Sequence, residues 1–109
     1  MENNSKSLKW YHYIAVFFAG LFLTNAIPHF ISGIMGNRLP TPFSDPPGVG
    51  LSSPVVNVLW GLFNFIVGYI LFQISKVNSR NKWALVILFV SVSLMAINLS
   101  ITFVGKAQG

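Results

Sequence analysis

Three long apolar stretches take up most of this chain, and none of them holds an acid, a lysine or an arginine. They run from about Trp10 to Phe30, Pro54 to Ile74 and Trp83 to Val104, each 21 or 22 residues. An α-helix rises ~1.5 Å per residue, so about 20 residues cross a hydrocarbon core of ~30 Å. Backbone N–H and C=O groups find no water in that core, which makes a helix the form such a stretch takes. The expected fold is therefore all-α, an integral membrane protein of three transmembrane helices. The spans and their connections use up the 109 residues, so a single membrane domain over 1–109 is expected.

Charge supports the same class. Only 8% of residues are charged, against about 25% in soluble domains, too few to cover a water-facing surface. There is no cysteine, which removes disulfides, thiolate chemistry and sulfur-ligated metals. The net charge of +5 sits beside the spans, not on a clustered basic face with stacking aromatics, so nucleic acid is not an expected partner. Lys6, Lys9, Lys76, Arg80 and Lys82 fall on one side of the expected topology, Arg38 and Lys106 on the other. Cytoplasmic flanks are the richer in Lys and Arg. That places the N-terminus and the 75–81 loop inside a cell inner membrane, and the 36–53 loop and C-terminus outside. Lys6 and Lys9 with Thr24-Asn25-Ala26 loosely resemble a cleaved signal peptide. The apolar stretch resumes after Ala26, and Trp10, Tyr11 and Tyr13 form an interfacial belt, which favours a retained span.

Punctuation locates the connections. All six prolines lie between Pro28 and Pro54. Pro28 is expected to kink the first helix or end it soon after. Gly36 to Ser53 carries Pro40, Pro42, Pro46, Pro47, Gly48 and Gly50, and reads as a turn-rich, ordered outer loop. Ser52-Ser53-Pro54 suits a helix start, with a serine cap and proline at the first helical position. Val77-Asn78-Ser79-Arg80-Asn81 is a short polar turn, so spans two and three are expected to pair as an antiparallel hairpin. Gly105 is the expected C-cap of span three.

The strongest pattern lies in span two. Asn57, Gly61, Asn64 and Gly68 are spaced 4, 3 and 4 and share one helix face. Glycine allows close approach of another helix and asparagine bonds across the contact, so this face is read as a helix-packing seam. Span three has a weaker series at Ser91, Asn98 and Thr102, and span one offers Asn25, His29, Ser32 and Gly33. At the depths the topology implies, Asn25, His29, Asn57 and Asn98 are expected to meet beneath the proline-rich loop. Such a cluster serves either as structural glue or as a small polar pocket for a lipid headgroup or neutral solute. His29, with a pKa near physiological pH when unperturbed, is the residue there with chemistry to offer.

Much chemistry is missing. The acids are Glu2 and Asp45, both outside the spans, so no intramembrane carboxylate is available for proton or cation coupling. Two distant histidines do not make a metal site. Ser52 or Ser53 with His29 and Asp45 would supply the residue types of a triad, but no nucleophile motif supports it. No catalytic residue, metal or cofactor is expected.

Pro28-His29-Phe30 with Gly33, Pro40-Thr41-Pro42-Phe43, and Ser53-Pro54-Val55-Val56-Asn57-Val58-Leu59-Trp60-Gly61 resemble segments of small, uncharacterised bacterial multi-span membrane proteins. The resemblance covers less than half the chain and implies no activity. The expected function is that of a non-enzymatic membrane subunit binding lipid or another membrane protein through the Asn/Gly face, with membrane lipids and a homo-oligomer or partner subunit as its company. The alternative is an oligomeric pore or channel, holin-like in size, lined by Asn64, Asn98 and Ser91.

Overall fold

The computed structural model describes residues 8–106. Lys6, counted among the orientation charges, and Glu2 lie outside them. The described residues form three helices and no strand: α1 Trp10–Ile34, α2 Pro54–Ser75 and α3 Lys82–Thr102. All three are long and apolar enough to cross a membrane.

Local chemistry sets the helix ends. The Lys9 N–H donates to His12 Nδ1 (2.8 Å), so a histidine at the third helical position takes the part that Glu or Gln plays in a capping box. Ser53 Oγ accepts from the Val56 N–H (3.2 Å), and Pro54 opens α2 where its missing N–H costs nothing. Lys76 ends α2 in the left-handed region (φ 57°). Pro28 does not end α1, which runs on to Ile34. The third helix stops two residues earlier than its apolar pattern, with Phe103 as C-cap; Gly105 (φ 68°) belongs to the turn beyond.

The first helix is the centre of the fold, packed on α2 along one side and on α3 along another. The expected hairpin of α2 with α3 is not formed: the two helices make no close backbone approach. The reason lies in α1, whose small residues are distributed around it. Ala15, Ala19, Gly20, Ala26 and Gly33 are all buried, so close neighbours fit on more than one face. A short loop fixes the running direction of two helices and does not oblige them to touch.

Each contact is close, and on the α2 side it reaches backbone. A Cβ placed on Gly61 would lie 2.8 Å from Phe30 N, one on Gly68 2.7 Å from Leu23 Cγ, and one on Gly33 2.7 Å from the Pro54 carbonyl oxygen. These pairings run in opposite chain order, so α1 and α2 are antiparallel. On the other side a Cβ on Gly20 would meet the Ser91 side chain. Further along, Phe103 reaches the His29 ring, so α1 and α3 run parallel. Across contacts this close, dispersion and the interhelical hydrogen bonds hold the helices together.

The loop over 35–53 is folded around Thr41. The Thr41 carbonyl accepts from the Ser44 N–H (3.1 Å), Ser44 Oγ (2.6 Å) and the Gly48 N–H (2.8 Å). Thr41 Oγ1 bonds Ser52 Oγ and accepts from the Phe43 N–H (3.1 Å). Phe43 then sets its ring edge-on against Trp60 of α2 (5.5 Å), which pins the loop to the helix.

Candidate polar groove

Two hydrogen-bonded pairs join α1 to α2, one helical turn apart on α1 and two turns apart on α2. Nearer the proline-rich loop, His29 Nδ1 lies 2.7 Å from Asn57 Oδ1. Further along, Asn25 Nδ2 donates to Asn64 Oδ1 (3.1 Å). Both α2 partners come from the Asn57, Gly61, Asn64, Gly68 series, and all four of those residues are buried against α1. Glycine brings the backbones together, and asparagine then reaches across.

Asn57 does more than hold His29. Its Nδ2 faces three carbonyl oxygens, those of Leu39 (3.1 Å), Ser52 (3.2 Å) and Ser53 (3.1 Å). One fully buried side chain therefore ties α1, the start of α2 and the proline-rich loop together. Asn64 is anchored likewise, donating through Nδ2 to the Trp60 carbonyl (2.7 Å).

Asn98 does not join this cluster. It is exposed on α3 and its Nδ2 stands 4.0 Å from Met95 Sδ. The stripe of α3 that meets α1 and its neighbouring recesses passes through Ala84, Leu88, Ser91, Met95, Leu99 and Phe103. Asn98 is one residue from Leu99, a rotation of about 100° on a helix of 3.6 residues per turn. Ser91 is buried against Gly20 and Thr102 is exposed, so the series Ser91, Asn98, Thr102 is not one packed face.

Because α2 and α3 stay apart, a groove opens between them along α1. Its part under the loop, about 430 Å³, is walled by Asn25, His29, Thr41, Trp60 and Phe103, with Pro40, Pro42, Pro47 and Gly48 as its roof. A second part, about 370 Å³, shares Asn25 and Trp60 with the first and continues past Asn64 to Phe18, Leu21, Phe22 and Met95. The groove thus gathers most of its polar groups toward the loop and becomes apolar below Asn25 and Asn64. No lysine, arginine or carboxylate lines either part.

His29 is only 2% exposed, and its ring is flanked edge-on by Phe103 at 5.4 Å. Its hydrogen-bond partner among the described residues is Asn57; Ser52 is engaged with Thr41, and Asp45 is exposed. The geometry that a serine nucleophile with a histidine base requires is not formed. Among the described residues no three His, Cys, Asp or Glu side chains gather as a metal site.

Sequence reasoning did not find Thr41, Trp60 and Phe103. Trp60 carried a signal: it lies three residues after Asn57 and four before Asn64, on the edge of the same face. Phe103 carried none, since its contact with His29 depends on how α3 lies on α1. No family model, no curated protein and no solved structure matches this chain.

Proposed function

We propose that this is a three-span integral membrane protein whose non-enzymatic task is to bind a single membrane amphiphile in the groove between α2 and α3. The observation that carries the reading is the graded lining. A polar end at His29, Asn25 and Thr41 passes within one groove to an apolar end at Phe18, Leu21 and Met95, and a lipid has the same polarity gradient. A ligand site in a membrane bundle is mostly apolar with a few placed polar groups. The Asn/Gly face was the expected docking surface for a partner, but it is occupied by α1 of the same chain, so the groove takes its place.

The protein is expected to retain one lipid after gentle extraction, detected by native mass spectrometry. Met95→Trp adds bulk at the apolar end, away from the α1–α2 contacts, and is expected to abolish that retention while leaving the helical circular dichroism unchanged. Equal retention by this variant would place any bound lipid elsewhere and end the reading.

In the orientation we propose, the N-terminus and the α2–α3 loop are cytoplasmic, because Lys9, Lys76, Arg80 and Lys82 gather at that end with Lys6 just before them. The groove's polar end then faces the outer side of a plasma membrane. A reporter at the C-terminus that is active only outside the cytoplasm is expected to be active. A reporter active only in the cytoplasm giving signal there instead reverses the orientation.

A further inference from the structure

We infer that the groove takes a neutral amphiphile whose head carries a hydroxyl, and that this hydroxyl donates its hydrogen bond to His29 Nε2. This rests on the reading of the groove as an amphiphile site and names the chemical class of the head.

The assignment comes from the hydrogen-bond network. Carbonyl oxygens accept only, so the Asn57 atom facing Leu39, Ser52 and Ser53 is the amide nitrogen. Asn57 Oδ1 is then the atom facing His29, and since it too accepts only, His29 Nδ1 carries the hydrogen. In the neutral imidazole this leaves Nε2 with a lone pair. Nε2 has no hydrogen-bond partner among the described residues, on a side chain that is almost wholly buried and lines the groove.

The same logic applies one turn away. The Trp60 carbonyl fixes Asn64 Nδ2, so Asn64 Oδ1 accepts from Asn25 Nδ2 and leaves Asn25 Oδ1 as a second acceptor. The two lie about 6 Å apart along α1. Donors are present there too: Asn25 Nδ2 keeps its second hydrogen, and the Thr41–Ser52 hydroxyl pair keeps one whichever of the two donates. None of them faces His29 Nε2, which stays the buried acceptor without a donor among the described residues.

The polar end is also uncharged. No cationic side chain lines it to meet a phosphate and no carboxylate to meet an ammonium. A charged head drawn into such a site loses hydration without gaining a counter-charge. An ether or ester head brings only acceptors and leaves His29 Nε2 unpaired. A hydroxyl donates to Nε2 and carries no charge, and a head with two hydroxyls can also serve Asn25 Oδ1.

Three probes with one tail and different heads test this: hexadecan-1-ol, hexadecyl methyl ether and hexadecyl phosphate, each added to the full-length protein in phosphatidylcholine nanodiscs. The protein carries ¹⁵N-labelled imidazoles. The alcohol is expected to move the His29 Nε2 resonance, with the ether leaving it in place. By native mass spectrometry the alcohol is expected to be retained about tenfold over the ether, the factor that about 1.4 kcal/mol from one hydrogen bond to a buried acceptor provides. His29→Phe is expected to erase that preference. That variant also frees Asn57, so the imidazole resonance of the unmutated protein decides. Equal retention of alcohol and ether with a stationary Nε2 resonance overturns the hydroxyl assignment and leaves the amphiphile groove standing. Preferential retention of the phosphate also overturns it. Retention of none of the three removes the groove reading itself.

Discussion

Asn57→Leu is expected to destabilise the protein by about 2–6 kcal/mol, as the loss of partners for two buried polar groups at about 1–3 kcal/mol each. Leucine keeps the branched heavy-atom skeleton of asparagine with bulkier methyls, so the loss comes from polarity and crowding and not from a cavity. In the native structure Asn57 bonds His29 through Oδ1 and three carbonyl oxygens through Nδ2. The Leu39 carbonyl keeps a bond from the Ser52 N–H and the Ser53 carbonyl keeps the Asn57 N–H. His29 Nδ1 and the Ser52 carbonyl are left with nothing. The effect is read in two ways. Unfolding in bicelles gives the stability change. Tryptic cleavage after Arg38 reports the loop, because Leu39 is 2% exposed in the folded state and the loop loses a tie to α2 in the variant. Cleavage is expected to become much faster, with Asn98→Leu, an exposed change on α3, as the unaffected control. Unchanged stability and cleavage would mean that Asn57 is not what holds the loop to the helices.

Gly61→Val is expected to cost about 3 kcal/mol, the upper range for forcing extra bulk into a packed contact. A Cβ there would stand 2.8 Å from Phe30 N and 3.0 Å from Phe30 Cα. Those are backbone atoms of α1, which cannot turn aside as a flexible side chain does. Relief requires α1 and α2 to separate, and separation stretches the bonds Asn25–Asn64 and His29–Asn57 that sit beside the glycine. Two observables therefore change together. The melting temperature in detergent falls, and the distance between spin labels at Ile34 and Val55 lengthens. The chain has no native cysteine to interfere with labelling, and both positions are exposed on α1 and α2. A fall in stability with the distance unchanged would show that the glycine acts through something other than close helix approach. Gly48, whose Cβ position is open, shows that a glycine in this chain is not by itself a packing residue.

Much of this architecture is written locally. Charge-free stretches of membrane-crossing length place three helices within one or two residues at most of their ends, apart from α1, which runs on past Pro28 to Ile34. Ser53 and Pro54 mark the start of α2 because a serine oxygen and a missing N–H both suit a helix N-terminus. The spacing of Asn57, Gly61, Asn64 and Gly68 identifies the packed face of α2, because residues three and four apart stand together whatever the partner is. Depth beneath the loop groups Asn25, His29, Asn57 and Asn98; the structure pairs His29 with Asn57 and Asn25 with Asn64 and leaves Asn98 out.

What local pattern does not carry is which helix meets which. In a soluble protein an apolar stripe points to the core, but a membrane helix is apolar on every side and lipid is as apolar as the protein interior. The stripe signal is then absent, and shape decides. That is why α1 emerges as the centre only in the folded chain: small residues on more than one of its faces admit two neighbours, and α2 and α3 are kept apart by it. The same cause explains Asn98, which shares a helical repeat with Ser91 yet faces outward once α3 is laid along α1. It also explains the groove, a space between two helices that make no close backbone approach, which belongs to no segment of the sequence. The sequence by itself determined three helices, the start of α2 and the seam on it, because hydropathy, capping and periodicity act within a few turns. The central place of α1, the outward turn of Asn98 and the groove over His29 were decided by the tertiary structure, through close packing of small residues on helices whose apolar residues mark no single face.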